Sequence, residues 1–227
     1  MKIKPLHDWN LTPSEAVALQ KQFAHEVIRE DAFERPVKRV AGLDLGHSPV
    51  TEMSRAVVAV LSFPELELVE SAEAEMPTSF PYVPGLLSFR ETPVAIKALE
   101  KIASAPDLIL VDGQGHAHPR RFGIACHVGL FVDVPTVGVA KSILVGRHED
   151  LPPERGSTAE LIHRGEVVGT VLRTKDKVQP VFVSVGHRIS LATATELVLR
   201  CTTKYQLPEP TRLADKMSSY RKKATGS

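Results

Sequence analysis

The chain has 227 residues, with 28 Lys+Arg against 27 Asp+Glu, a formal net charge of +1. That length allows one sizeable core and at most two small domains. The near-neutral balance excludes global charge as a means of gripping nucleic acid, which would have to rely on local patches. Two cysteines, Cys126 and Cys201, with no CxxC pair argue against a disulfide framework and a structural zinc site, and are expected as small buried hydrophobes.

Thr12-Pro13-Ser14-Glu15 predicts a helix start. Thr12 caps, Pro13 suits the first turn and Glu15 completes a capping box. Leu19, Phe23 and Val27 recur at helical spacing and carry this helix to about Arg29. Strands are expected over 39–46, 55–62 and 66–74, the last two as antiparallel neighbours across Phe63-Pro64-Glu65. Residues 78–91 read as an irregular segment, and Thr92-Pro93 opens a helix ending near Ser104. A strand over 107–112, a helix over 122–132 and a strand over 135–141 follow. Two more strands, 167–173 and 181–186, flank a polar turn. Ser190 caps a helix through about Thr202, 211–220 forms a last helix, and 221–227 reads as a disordered polar tail. No linker divides the chain, so 1–227 is expected as a single α/β domain: a mixed central sheet flanked by helices. No apolar run is long enough to span a membrane, and Met1 to Trp9 does not read as a signal peptide, so the expected compartment is the cytoplasm.

The densest chemistry lies in Leu108-Ile109-Leu110-Val111-Asp112-Gly113-Gln114-Gly115-His116-Ala117-His118-Pro119-Arg120-Arg121. A buried strand runs into a carboxylate at the sheet end where open α/β folds bind ligands. The glycines permit close backbone approach, and the arginines suit phosphate. Asp112 is therefore a candidate ligand for a divalent cation acting on a phosphodiester.

Asp44 alternates onto the same strand face as Gly42 and Gly46, which suggests that something large approaches that face. Glu91 immediately precedes the expected helix at Thr92, whose N-terminus would favour its charged form. Lys141 leaves its strand at the Asp112 end if the two strands are parallel, placed to neutralise phosphate charge or orient water. His118 reads as a group that orients water or contacts phosphate, and His116 as a surface histidine; the pair lacks the partners a zinc site needs. Arg120, Arg121 and Arg188 are candidate phosphate contacts. In Pro81-Tyr82-Val83-Pro84-Gly85 two prolines stiffen a loop whose Tyr82 could enter a base stack as a wedge, a device useful when a nucleotide is extruded.

Together these segments resemble the endonuclease V family of deoxyinosine-specific repair nucleases. The resemblance rests on Ala41-Gly42-Leu43-Asp44, on the run from Pro81 to Glu91, on Val111 to Gly115 with His118 to Arg121, on Pro135 to Lys141, on Gly186 to Ser190 and on Leu207 to Arg212. It implies a ribonuclease H-like fold and magnesium-dependent hydrolysis of the second phosphodiester bond 3′ to deoxyinosine, leaving 3′-hydroxyl and 5′-phosphate, with Mn²⁺ able to replace Mg²⁺. It further implies Asp44 and Asp112 as metal ligands with Glu91 completing the acidic site. Lys141 and His118 would assist at the scissile phosphate, Tyr82 would be the wedge, and backbone around Gly85, Leu87 and Gly113 would form the base pocket. The implied partner is damaged DNA, with inosine-containing RNA and single-stranded DNA left open, and the implied state is a monomer. His47 stands where the family often carries an aromatic, Gln114 where histidine is common, and Asp215 at a variable position near the metal site.

Two rival readings remain at this level. The first is another nuclease of the same fold, a junction resolvase, which would not need the Tyr82 loop, or an RNA-directed nuclease, with inosine in RNA an alternative substrate. A non-catalytic nucleic-acid-binding module would be hindered by three carboxylates, which repel phosphate unless a cation intervenes.

Overall fold

The computed structural model describes residues 1–33 and 36–224, with side chains of the last helix through Ser218. Helix α1 (Pro13–Phe23) begins on the expected capping box, the Thr12 N–H donating to the Glu15 carboxylate at 2.7 Å. It stops at Phe23, short of Arg29. Beyond a turn at residues 24–26, Ile28 is held by two backbone contacts: its N–H donates to His187 Nδ1 at 3.3 Å, and its carbonyl accepts from the Arg188 N–H at 2.7 Å. Val27 thus packs against the core from a segment outside the helix.

Strands β1 (Arg39–Ser48), β2 (Met53–Ser62) and β3 (Leu68–Pro77) form an antiparallel meander, matching the expected pairing across Phe63-Pro64-Glu65. After helix α2 (Leu87–Glu100), strand β4 (Leu108–Val111) pairs parallel with β1. After helix α3 (Ile124–Val132), strand β5 (Thr136–Ala140) pairs parallel with β4. Strands β6 (Thr158–His163), β7 (Glu166–Leu172) and β8 (Val181–His187) complete one sheet in the order β3-β2-β1-β4-β5-β8-β7-β6. Helices α4 (Leu191–Arg200) and α5 (Glu209–Ala224) close the chain. Three antiparallel strands followed by two parallel ones, with helices on both faces, are a ribonuclease H-like arrangement.

The central strands β4, β5 and β8 are buried along their whole length, as sheet strands covered on both faces must be. One face packs Ala41, Leu43, Ile109 and Val111 against Val94, Ala98 and Leu99 of α2 and Val128 of α3. The other packs Val40, Leu108, Leu110, Val137 and Val183 against Ala194, Leu197 and Val198 of α4. Each fully buried Leu, Ile or Val stabilises by about 1.5–3 kcal/mol relative to exposure. Cys126 and Cys201 are buried free thiols, as expected. No helix among the described residues is long and apolar enough to cross a membrane.

Four expectations need correction. Helix α2 begins at Leu87 and not at Thr92, with Pro93 inside it, so Glu91 lies within the helix and not before it. Its end comes at Glu100, because the N–H groups of Ala103 and Ser104 donate to the Glu70 carboxylate at 3.0 and 2.7 Å instead of continuing the helix. Strand β6 was not anticipated: at the sheet edge it buries little beyond Leu161, and its signal was the two-residue turn Arg164-Gly165, with φ of 58° and 78°, a hairpin geometry. Helix α5 starts at Glu209 and its backbone stays helical through Ala224, into the segment expected to be disordered; residues 225–227 lie outside the described residues.

Gly42 teaches a related lesson. A Cβ there would lie 2.0 Å from the Pro210 carbonyl carbon. The large thing approaching that strand face is the first turn of α5, so this glycine admits the protein's own helix and not a ligand.

Candidate active site

Strand register builds the site. Leu43 pairs with Val111, and the Asp112 N–H donates to the Leu43 carbonyl at 3.0 Å. Asp44 and Asp112 are therefore neighbours on adjacent parallel strands, about 4.8 Å apart along the sheet, with side chains on one face. Val111 pairs with Gly138, which puts Lys141 one pleat beyond Asp112 on that same face. Its ammonium reaches Asp112 Oδ2 at 2.6 Å. From α5, the Ser218 side chain hydrogen-bonds Asp44, and the charge of Asp215 acts on both Asp44 and Lys141. From the opposite layer, α2 brings Glu91 over the sheet end, where it feels the charges of Asp44 and Asp112.

The charges of these carboxylates act on one another. Burial pushes Asp44 up to about 6, helped by Asp112 and Asp215 and opposed by Ser218 and Lys141. Glu91 is pushed up to about 7, first by burial and then by Asp44 and Asp112, with Arg90 opposing. The helix-start stabilisation expected for Glu91 is absent, since the residue sits past the first turn and in a buried setting. Burial works against the Lys141 charge, but the hydrogen bond to Asp112 and the charges of Asp112, Asp215 and Asp44 outweigh it and raise its pKa. Among the described residues no three His, Cys, Asp or Glu side chains close into a ready-made metal cage. The Lys141 ammonium holds one Asp112 oxygen.

A cavity of about 430 Å³ opens beside Asp112. Tyr82, Val83, Pro84, Gly85 and Leu87 wall it on one side, Gly113 and His118 on another, and Lys141 borders it. Gly85 turns the loop at φ +78°, and its carbonyl accepts from His118 Nε2 at 3.1 Å, Arg120 Nη2 at 2.6 Å and Gln20 Nε2 at 3.0 Å. Tyr82 stands 71% exposed at the rim. Pro81 precedes it without lining the cavity.

His118 differs from expectation. Its Nδ1 accepts from the Arg120 N–H at 3.2 Å, so Nε2 carries the proton donated to Gly85. Both nitrogens are committed, and burial with the Arg120 charge lowers its pKa to about 4. This neutral ring holds the loop and, in this geometry, has no nitrogen left for a phosphate. His116, expected at the surface, is buried with Nε2 2.9 Å from Glu166 Oε1. Arg121 donates to Glu166 at 2.7 Å and to His163 at 2.9 Å. Arg188 donates to the Ala32 carbonyl at 2.8 Å and to Asp133 at 2.9 Å. It follows the His187 end of β8, opposite the Lys141 end of β5, and so does not join the others.

Several lining residues were not singled out from sequence. Ile143 and Leu144, 41% and 50% exposed, add an apolar rim just after β5; an exposed apolar pair directly past a strand was the available signal. Ser88 also lines the cavity. Gln114 Nε2 donates to the Ser142 carbonyl at 2.8 Å and so ties that rim down. Gln20, fully buried on α1, gave no local signal because its partners are 65 and 102 residues away. His47 Nδ1 lies 3.0 Å from Thr78 Oγ1, past the carboxylate on β1.

Comparison with known proteins follows this geometry closely. The chain is 58% identical to Endonuclease V of Trichormus variabilis over 221 residues, covering 97% of this chain and 100% of that protein. Its fold matches the crystal structure of Endonuclease V from Streptomyces avermitilis with a TM-score of 0.91 at 40% identity, over 100% of both chains. It also matches Endonuclease V of Ciona intestinalis, crystallised with a 24mer DNA containing an inosine followed by a ribo-adenosine, with a TM-score of 0.81 at 32% identity over 93% of this chain and 98% of that one. The Endonuclease V family model matches residues 21–216, a span that contains every carboxylate of the sheet-end cluster, and the chain belongs to that family.

Proposed function

We propose that this protein recognises deoxyinosine in DNA and hydrolyses the second phosphodiester bond 3′ to it, leaving 3′-hydroxyl and 5′-phosphate. The observation that carries this reading is a shared wall: Asp112 and Lys141 border the same cavity as Tyr82, Gly85, Leu87 and Gly113. A base held in that cavity brings a neighbouring backbone phosphate to the carboxylates. The relatives from Ciona intestinalis bound to inosine-containing DNA support the choice of base.

The donor set suits a hard divalent cation, Mg²⁺ with Mn²⁺ able to substitute, held by Asp44 and Asp112 with Glu91. Burial, with like charge from the neighbouring carboxylates added to it, raises Asp44 to about 6 and Glu91 to about 7, and a dication would offset that like charge. When bound, such an ion supplies Lewis acidity at the phosphate and a more acidic water. The chain's own groups do the rest. Lys141 keeps its proton and places a positive charge where phosphate negativity grows. Asp215 and Ser218 set the position and charge of Asp44. His118, Arg120 and Gln20 lock the Gly85 carbonyl and with it the wedge loop. Tyr82, on a loop stiffened by Pro81 and Pro84, fills the gap left by the extruded base; a wobble-paired base costs less to extrude than a matched one.

A nicking assay tests this. A deoxyinosine duplex should be cut once in the presence of Mg²⁺ and left intact with EDTA, while an adenine-matched duplex stays whole. Absence of incision on any inosine substrate with Mg²⁺ or Mn²⁺ overturns the reading. Parallel arms with inosine-containing RNA and single-stranded DNA decide the strand type. Tyr82→Ala should reduce the preference for the lesion more than it reduces metal dependence.

A further inference from the structure

On the far side of the Gly85–Arg120 contact lies a second cleft, of about 590 Å³, that the proposed reaction does not use. Its walls are the end of α1 with the segment after it (Lys21, His25, Arg29) and the loop from His116 to Arg121. Among the described residues no carboxylate lines it; Glu26 and Glu30 flank it in sequence but not in its walls. Lys21, Arg29, Arg120 and Arg121 give it four positive charges, Arg121 contributing charge alone because its guanidinium is committed to Glu166, His163 and the His118 carbonyl. The carboxylate paired with this set is Glu166, which sits behind the wall and is shared by Arg29 at 2.9 Å and Arg121 at 2.7 Å. Arg120 bonds only neutral oxygens, those of Gly85 and Gln20, and among the described residues neither it nor Lys21 forms an ion pair.

The cleft is also internally unsatisfied. Arg29 Nη1 lies 2.8 Å from His116 Nε2, and both lie 2.9 Å from the same oxygen of Glu166. One ring nitrogen cannot donate to the carboxylate and accept from the guanidinium at once. In either tautomer one contact fails, and His116 Nδ1 stays buried without a partner. An anion entering from solvent would give the half-exposed Arg29 a second acceptor and relieve this conflict.

We infer that this cleft is a second nucleic-acid contact, a seat for a backbone phosphate away from the scissile bond. Arginine forks match the two free oxygens of a phosphodiester. Arg120 joins the two places: its guanidinium faces the cleft and also anchors the Gly85 carbonyl at the wall of the base cavity. A strand whose base enters the cavity therefore has its flanking backbone near four cations. This extends the reading of the active site and rests on it for the identity of the strand.

The test is the salt dependence of binding to an undamaged fluorescent duplex, measured for the full chain in EDTA so that incision plays no part. Each phosphate neutralised contributes about −0.9 to the slope of log K against log salt. Lys21→Gln with Arg29→Gln should make the slope shallower by about 2 and weaken low-salt binding about tenfold. Lys21→Arg should keep the slope of the unmodified protein. If Arg29→Gln fails to fold, Lys21→Gln alone, an exposed position, should still flatten the slope by about 1. An unchanged slope in these variants overturns the inference. Incision of a deoxyinosine duplex by the unmodified enzyme, run in parallel, reports separately on the active site, so the two readings can fail independently.

Discussion

Glu91 and Glu166 are the same residue type, yet one is pushed up to about 7 and the other drawn down to about 2. Burial works against the charge in both. At Glu91 Arg90 opposes it, but Asp44 and Asp112 add like charge. At Glu166, hydrogen bonds from His116, Arg121 and Arg29 outweigh burial. The sheet-end cluster is a set of acids short of positive charge, whereas the Glu166 hub is a set of cations short of negative charge. The first stores electrostatic cost where a dication could be seated; the second spends its one carboxylate holding the 116–121 loop to β7. Perturbed carboxyls of opposite sign thus separate the proposed reactive site from a structural junction, provided the charge balance around each is read along with the shift.

The largest expected effect sharpens the first half of that contrast. Asp112→Asn should lower incision of a deoxyinosine duplex by about 10²–10³-fold or more, the scale of losing an electrostatic stabiliser of the transition state. Lesion binding in a gel shift should persist. Parallel loss of binding and cutting would show that Asp112 holds the fold or the base and not the reacting phosphate.

Asp44→Asn asks whether the cluster costs stability. An acid raised from 3.8 to about 6 binds its proton more tightly when folded than when unfolded. Its ionisation therefore destabilises the fold as pH rises through that window, and the cost is complete at neutral pH. In EDTA at pH 7 the variant should be more stable by about 1–3 kcal/mol, with incision lost. The gain should shrink as pH falls below about 6 and vanish near pH 3, below the unfolded pKa of 3.8, where the carboxyl is protonated in both states. A variant less stable than the unmodified protein at pH 7 would mean that the hydrogen bond from Ser218 dominates over desolvation.

How much of this could be read from the chain differs by region. Asp112 and Lys141 were legible because each ends a continuous apolar strand, and strand ends converge when the strands run parallel. Asp44 was legible as an acid on a strand, but its neighbour Gly42 misled: only the folded chain shows that Pro210 fills the space. Glu91 carried no signal of its own. It was placed by resemblance, and its helix was begun too late because Thr92-Pro93 imitates a helix start while Pro93 in fact sits inside α2. The Glu166 hub was illegible, since its partners Arg29, His116 and Arg121 lie 137, 50 and 45 residues away and no local pattern links them. Distance also hid the fate of Arg121, whose guanidinium is claimed by Glu166 and His163, 45 and 42 residues away, and half that of His118, whose ring bonds Gly85, 33 residues away, as well as the Arg120 N–H two residues on.

The smallest expected effect tests the hub. Glu166 is 40% exposed, so solvent screens its ion pairs and the depressed pKa overstates its worth. Glu166→Gln should cost about 1 kcal/mol, a fall in Tm of about 2–4 °C at pH 7. A carboxyl lowered from 4.5 to about 2 contributes stability above its unfolded pKa and loses it as pH falls toward the folded value. The gap between variant and unmodified protein should therefore be constant above pH 5 and close below about 4.5. Measuring the difference is necessary, because His118, held neutral, destabilises the whole fold when acid forces a proton on it between pH 6.5 and about 4. A gap that instead widens with acid would assign the hub's stability to the His116 and Arg29 contacts, and would place Glu166 on the same side of the comparison as Glu91.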